Sequence, residues 1–294
     1  MSTAGYAPPA RRLMPARLLG EFRGSAVMAA SAAFVLFVAV LAIFGPLLAP
    51  KDPNSQDLAL GIVGPSRDAI FGTDSLGRDI LSRTIVGTRS AVIGPLLIAI
   101  GTAIISVAMG VYAGYRGGLL DAVIMRVVDF AYATPPLLLV VVVVGVLQGG
   151  YFVAVAVLTL ISAPYDIRVI RAVALEQRPL PYVEAARTLG LTHRQIMLRH
   201  IAPNVVPFVI VNSCLEFAFG LVTLSGLSFL GLGVPPGTAD WGRMLNENRT
   251  ILFTNAASVL APGILLVLTA AAVNLLGDAL GERLTRTGAA DTHE

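Results

Sequence analysis

The chain has 294 residues, 55% of them hydrophobic and only 13% charged, with a formal net charge of +3 and a mean hydropathy of +0.78. Soluble domains carry roughly 25% charged residues, and a core of this length cannot hide so much apolar surface beneath a wettable exterior. A soluble enzyme, a disordered chain and a nucleic-acid binder are excluded, which leaves an all-α integral membrane protein.

The cations are arginines apart from Lys51, and they are spread along the chain as topology signals rather than gathered into a polyanion site. Residues 1–25 read as a basic, Ala- and Pro-rich cytosolic tail lying loose or on the inner surface. Gly24 to Pro50 is uncharged for 27 residues, too long for a signal-peptide core, so 26–49 is expected to be a retained N-terminal anchor span. Residues 50–88 follow as an extracytoplasmic loop, in which Arg78, Asp79 and Arg83 are expected on a short interfacial helix. Arg78 and Asp79 become candidates for contacts at the outer interface.

Residues 89–280 form the expected core. The second span is Ser90–Tyr115. Phe130 to Tyr165 is uncharged for 36 residues, too many for one helix, and Gln148-Gly149-Gly150 divides it. Pro135-Pro136 kinks the third span or delays it to Leu137. The piece from Tyr151 to Pro164 spans only about 21 Å at 1.5 Å per residue, so the fourth span continues past Asp166 and Arg168, with those charges at the interface. Arg126 and Asp129 are spaced to pair with each other. A fifth span runs from Pro203 to Leu230, a sixth from Thr250 to Gly277, and 281–294 is a tail. With six spans, 14 basic residues fall on the side of the termini and seven on the other, where seven carboxylates offset them. Both termini are therefore expected in the cytosol.

No phosphate-binding Gly-rich loop ending in Lys-Ser or Lys-Thr occurs, and with Lys51 the sole lysine none could. The chain is expected not to hydrolyse ATP and not to be an enzyme. Cys214 stands alone in an apolar run, and the three histidines lack metal-site spacing. Asn212, Glu216, Gly220 and Thr223 recur at three- and four-residue spacing on one face of the fifth span. That face lines a translocation path or makes an interhelical polar pair, for instance with Asn274; Gly220 is also explained by helix packing. A lone mid-span Glu216 keeps a stand-alone ion-coupled carrier as a rival reading. Asp240-Trp241 forms a lip beyond the fifth span, or Trp241 is an interfacial anchor.

Residues 176–203 are the most polar part of the core. Pro181 suits a first helical turn, and Tyr182–Leu189 are good helix formers. Gly190 permits a left-handed break, and Thr192 with Gln195 forms a capping box for the next helix. Such a knob between two spans is a connecting loop or a docking element for a soluble partner, in which small Ala185 and Ala186 admit another backbone and Glu184 and Arg187 set the register.

The order Glu184-Ala185-Ala186, three residues, Gly190, then Ile201-Ala202-Pro203 resembles the EAA loop of ABC-importer permeases. Phe71-Gly72-Thr73-Asp74-Ser75-Leu76-Gly77-Arg78-Asp79, Gly114-Tyr115-Arg116-Gly117-Gly118 and Leu227–Pro236 followed by Trp241-Gly242 resemble the C-type permease subunit of dipeptide and oligopeptide importers. The likeness covers roughly residues 26 to 283. It implies the type I importer permease fold, an anchor span plus a five-helix core, in a bacterial plasma membrane. It further implies a second homologous permease, one or two ABC ATPases carrying Mg-ATP, an extracytoplasmic binding protein and a peptide substrate, with no cofactor in this chain. Glu184, Ala185, Ala186 and Gly190 are then coupling residues. Uptake of nickel or another small solute is the alternative within the same family.

Overall fold

The computed structural model describes the backbone of residues 14–147 and 149–290 and the side chains of residues 26–147 and 149–283. The expected loose tail before Met14, Gln148 of the expected turn and the last four residues lie outside them. Regular structure among the described residues is helical: α1 (Met14–Leu48), α2 (Ile80–Arg116), α3 (Gly118–Tyr132), α4 (Pro136–Leu147), α5 (Gly150–Gln177), α6 (Pro181–Thr188), α7 (His193–Ile196), α8 (Ala202–Phe229), α9 (Trp241–Asn248) and α10 (Ala257–Ala290). A π-turn over Met197–Ile201 joins α7 to α8.

Five of these are long and apolar enough to cross a membrane: α1 from Ala26, α2, α5, the run His193–Phe229, and α10. The sixth crossing is the pair α3 and α4, bent by 86° at the break. Its place as a span follows from packing. Gly94, Gly101, Gly110 and Gly114 of α2 meet Tyr151, Thr159, Ile170 and Ala174 of α5 in that order, so the two helices run side by side in the same direction. The chain between two parallel neighbours must recross the layer. The bend falls at the expected Pro135-Pro136, with Pro136 opening α4, because proline excludes the α conformation from the residue before it.

Each long helix carries an internal proline, and backbone groups freed in a membrane must be satisfied from elsewhere. One turn before and just ahead of Pro95, a tyrosine enters the α2 ladder. The Tyr151 hydroxyl accepts from the Gly94 N–H at 2.9 Å and donates to the Ser90 carbonyl, bridging the pair of groups just before the proline. Thr84, Thr88 and Thr102 turn their hydroxyls back onto carbonyls of α2 itself.

Three expectations are corrected. No separate helix precedes the second span: α2 starts at Ile80 and runs unbroken to Arg116, with Asp79 as its N-cap. Arg126 does not pair with Asp129; Arg168 of α5 does, while Arg171 makes a bidentate pair with Asp121 at 2.5 and 2.7 Å. Packing of α3 on α5 brings these arginines closer than the local i, i+3 neighbour. α5 does continue past Asp166 to Gln177, but Asp166 is 2% exposed rather than interfacial.

Tyr151→Phe should strand the Gly94 N–H and the Ser90 carbonyl inside the bundle, at a cost of about 1–3 kcal/mol. A lowered unfolding midpoint of the detergent-purified protein checks this; an unchanged midpoint would show that the hydroxyl bridge is dispensable.

Candidate functional site

One end of the bundle carries a short projecting helix. α6 starts with Pro181 at its first turn and stops in the left-handed region at Gly190, φ +78°. The Leu191 N–H reaches the Ala186 carbonyl and the Gly190 N–H the Arg187 carbonyl, at 3.2 and 3.0 Å, the paired closure that a left-handed C′ residue permits. Space beside Gly190 is free, so it is the backbone conformation rather than crowding that favours glycine there. Thr192 then caps α7 with the reciprocal Gln195 bonds.

The two faces of α6 differ. Val183 and Ala186 are buried against Val111 and Tyr115 of α2, Ile170, Val173 and Ala174 of α5, and Val205 of α8. Glu184, Ala185 and Thr188 face out, and Leu189 is 81% exposed. Tyr182 ties the base of the knob, donating to Gln177 at 2.7 Å and accepting from Asn204 at 3.1 Å. Of the two alanines expected to admit a partner backbone, only Ala185 is free to do so. Ala186, 3% exposed, instead lets α6 lie close on its own bundle. Arg187 does not pair with Glu184; its guanidinium lies over the Tyr115 ring, 5.3 Å from the centroid, and the Tyr115 hydroxyl meets His193 Nδ1 at 3.0 Å.

A cleft of about 360 Å³ opens midway along the bundle, between the α3–α4 bend, α5 and α8. Asn212, Glu216 and Thr223 line it, with Ser162 of α5 opposite. Gly220 does not: it faces Pro95 and Ile98 of α2, so helix packing is its role. Nor is Asn274 the polar partner of this stripe. Asp166, one turn from Ser162, sits beside Asn212 and Thr102. Sequence reading missed Asp166 because a carboxylate near the expected end of a span reads as interfacial; the signal was Ser162 four residues earlier on the same face.

At the opposite end, the four residues expected to face outward are buried. Arg78 bonds Asp74 at 2.7 Å and Glu247 at 2.9 Å. Arg83, fully buried, donates to the carbonyls of Pro53, Gly237 and Thr238. Asp79 accepts from the Ser82 N–H and hydroxyl. Asp240 caps α9 through the Arg243 N–H and accepts from Ser90. Trp241 is neither lip nor interfacial anchor: its indole donates to the Thr84 carbonyl at 3.0 Å, and its ring packs with Val38, Ala91 and Leu221. These residues clamp the 51–79 loop and the 230–248 segment onto the start of α2. Burial pushes the Asp240 carboxyl above its usual range, against the hydrogen bonds it accepts. Burial also works to raise Glu247, but bonds from Arg243, the Gly237 N–H and Arg78 outweigh it and hold this carboxyl below the usual range.

Residues 106–286 match the family described as binding-protein-dependent transport system inner membrane component. Residues 19–62 match the N-terminal TM domain of oligopeptide transport permease C. The chain belongs to this permease family. It is 32% identical over 273 residues to the probable D,D-dipeptide transport system permease protein DdpC of Escherichia coli, covering 93% of this chain and 92% of that one. It is 35% identical to the glutathione transport system permease protein GsiD of Pectobacterium atrosepticum (88% and 86% covered). With the dipeptide transport system permease protein DppC of Haemophilus influenzae the identity is 33% (85% and 87%). A solved inward-facing structure of the MetNI methionine ABC transporter shares the fold, with a TM-score of 0.50, 19% identity, and 66% of this chain and 94% of that one covered. The permease is thus a multi-pass inner-membrane transport subunit, and the type I importer permease fold expected from its motifs is the one it has.

Because the Glu247 pKa is depressed on folding, its contribution is complete above the ordinary Glu value of about 4.3 and is lost as pH falls through the lower folded value. Glu247→Gln should therefore destabilise the permease at neutral pH by up to about 3 kcal/mol, the low end for a broken buried pair, since its side chain is 19% exposed. The difference in unfolding midpoint from the parent should close only below pH 4.3; a difference that persists in acid would show that packing, not charge, is lost.

Proposed function

We propose that this permease forms half of the translocation path of an ATP-driven peptide importer and that α6 is the element through which ATP hydrolysis elsewhere drives it. The observation that carries this is the division of α6 into a face clamped on three spans and a face of Glu184, Ala185, Thr188 and Leu189 turned outward. A soluble partner gripping that outer face would move α2, α5 and α8 together, because Val183 and Ala186 have no independent freedom. Peptide as cargo is supported by the dipeptide and glutathione systems of its relatives.

The assembly contains a second homologous permease, one or two ABC ATPases holding Mg-ATP, and an extracytoplasmic binding protein; this chain itself needs no cofactor. The α6 end and both termini face the cytosol. A basic pocket lined by Arg116, Arg178, Arg187 and His193 beside α6 supports that orientation, with the Glu247 clamp on the extracytoplasmic side. Two conformations of such a bundle, biased by ATP, suffice for alternating access.

Gly190→Val places a β-branched residue at positive φ and should leave the assembled complex hydrolysing ATP while uptake per ATP falls about 5- to 150-fold, the usual span of a coupling free energy. Gly190→Asn, which tolerates the left-handed region, should keep most of the coupling. Reconstituted vesicles supplied with binding protein and dipeptide measure both quantities. Normal uptake by the valine variant would overturn the coupling role of α6.

A further inference from the structure

Glu216 lies midway along α8, about 20 Å from either end at 1.5 Å per residue, and is 8% exposed. Its Oε1 and the Oδ1 of Asp166 are buried and without a hydrogen-bond partner. Ser162 stands beside Glu216, Asn212 beside Asp166, and the two carboxyls are near enough to act on each other. α5 and α8 run in opposite directions here, so the i, i+4 pairs Ser162–Asp166 and Asn212–Glu216 oppose each other as a four-residue polar patch. The nearest cations along α5 are already committed, Arg168 to Asp129 and Arg171 to Asp121. Among the described residues no ion pair involves Asp166 or Glu216.

Two buried carboxyls that act on each other are costly while both are ionised, so either a proton or a cation must lie with them. The setting selects which cation. Calcium and magnesium take six or more oxygen or water ligands, whereas beyond the hydroxyls of Tyr132, Tyr165 and Thr223 the rest of the cleft is mostly apolar, with Leu137, Val140, Ile161, Leu215 and Phe219 in its wall. At about 360 Å³ it has the size and apolar lining of a small-molecule site. A compact group with three N–H donors on an organic body fits both features.

We infer that Glu216, Asn212 and Ser162, with Asp166 as a second charge behind Asn212, form a membrane-depth subsite for a primary ammonium group: the free N-terminal ammonium of the transported peptide. This rests on the peptide-importer reading above. Glu216 makes the direct contact; the side chain of the first peptide residue lies against the apolar wall.

The test uses the permease–ATPase complex in lipid nanodiscs without binding protein, and reads displacement of radiolabelled dialanine by unlabelled dialanine, by N-acetyl-dialanine and by N,N,N-trimethyl-dialanine. The wild type should prefer the primary ammonium over both blocked forms by about 10- to 100-fold, the worth of a hydrogen bond to a charged group. Glu216→Gln should erase most of that preference by weakening dialanine more than either blocked form; Glu216→Asp should restore part of it, and Asp166→Asn should reduce it less than Glu216→Gln does. Equal binding of blocked and free peptides by the wild type overturns the subsite, as does absence of any displaceable dialanine. An unchanged preference in Glu216→Gln does so too. If Glu216→Gln does not assemble, the trimethyl and acetyl comparisons on the wild type still decide. Vesicle uptake of a panel of unmodified peptides, with binding protein present, separates the two readings. Uptake without an ammonium preference sinks the subsite alone, and uptake of no peptide by the wild type sinks the importer reading and the subsite with it.

Discussion

Lipid offers no hydrophobic force to press helices together, so a membrane bundle depends on how closely backbones can approach. Here that constraint is met along one seam. Gly110 and Gly114 of α2 lie so close to Ile170 and Ala174 of α5 that a Cβ at either position would collide. Because α2 and α5 are parallel, this contact forces the return crossing by α3–α4 and so brings the α3–α4 bend to the wall of the cleft. It also sets the ends of α2 and α5 side by side, and the platform they form receives Val183 and Ala186 of α6. The cleft and the knob are both consequences of the same close approach.

The two ends of the bundle are built for different duties. At the α9 end, polar side chains turn inward: Arg78, Arg83, Asp74 and Glu247 make a network in which every charge meets an opposite one. Such a network contributes geometry more than net stability, since desolvation offsets much of its Coulomb energy. At the α6 end the buried contacts are apolar and the charges of α6 turn outward. One end is thus fixed by a buried charge network, while the other rests mainly on an apolar contact, tied at its base by the Tyr182 bonds to Gln177 and Asn204.

What the sequence made legible was local. The stop at Gly190, the Thr192–Gln195 box and the break at Pro135-Pro136 are each set by residues within a few positions, and all stand where the chain chemistry puts them. The six crossings follow from runs of apolar residues that no other solvent tolerates. What stayed hidden was tertiary. Arg83 and Glu247 are 164 positions apart, and nothing near either residue announces the other; an arginine beside a span reads as exposed until its partner is known. The depth of Asp166 is hidden for the same reason, since its neighbours Thr102 and Asn212 lie on other helices. Spacing puts Asn212, Glu216 and Thr223 on one face of α8, and they line one cleft; Gly220 shares the spacing but has no side chain to declare a direction, and of its two readings the packing one fits its place against Pro95 and Ile98.

The proposed coupling requires α6 to keep one face for the bundle and one for an ATPase. Replacing Cys214, the sole cysteine, by serine gives a background in which single cysteines report on each face. In membranes holding the whole importer, Ala185→Cys should form a disulfide or short-linker crosslink with a cysteine scanned along the ATPase surface, and the yield should change when ATP is added. Ala186→Cys, pointing into the bundle, should give none. Crosslinks from Ala186→Cys, or from neither position, would contradict the division of α6 on which the coupling rests.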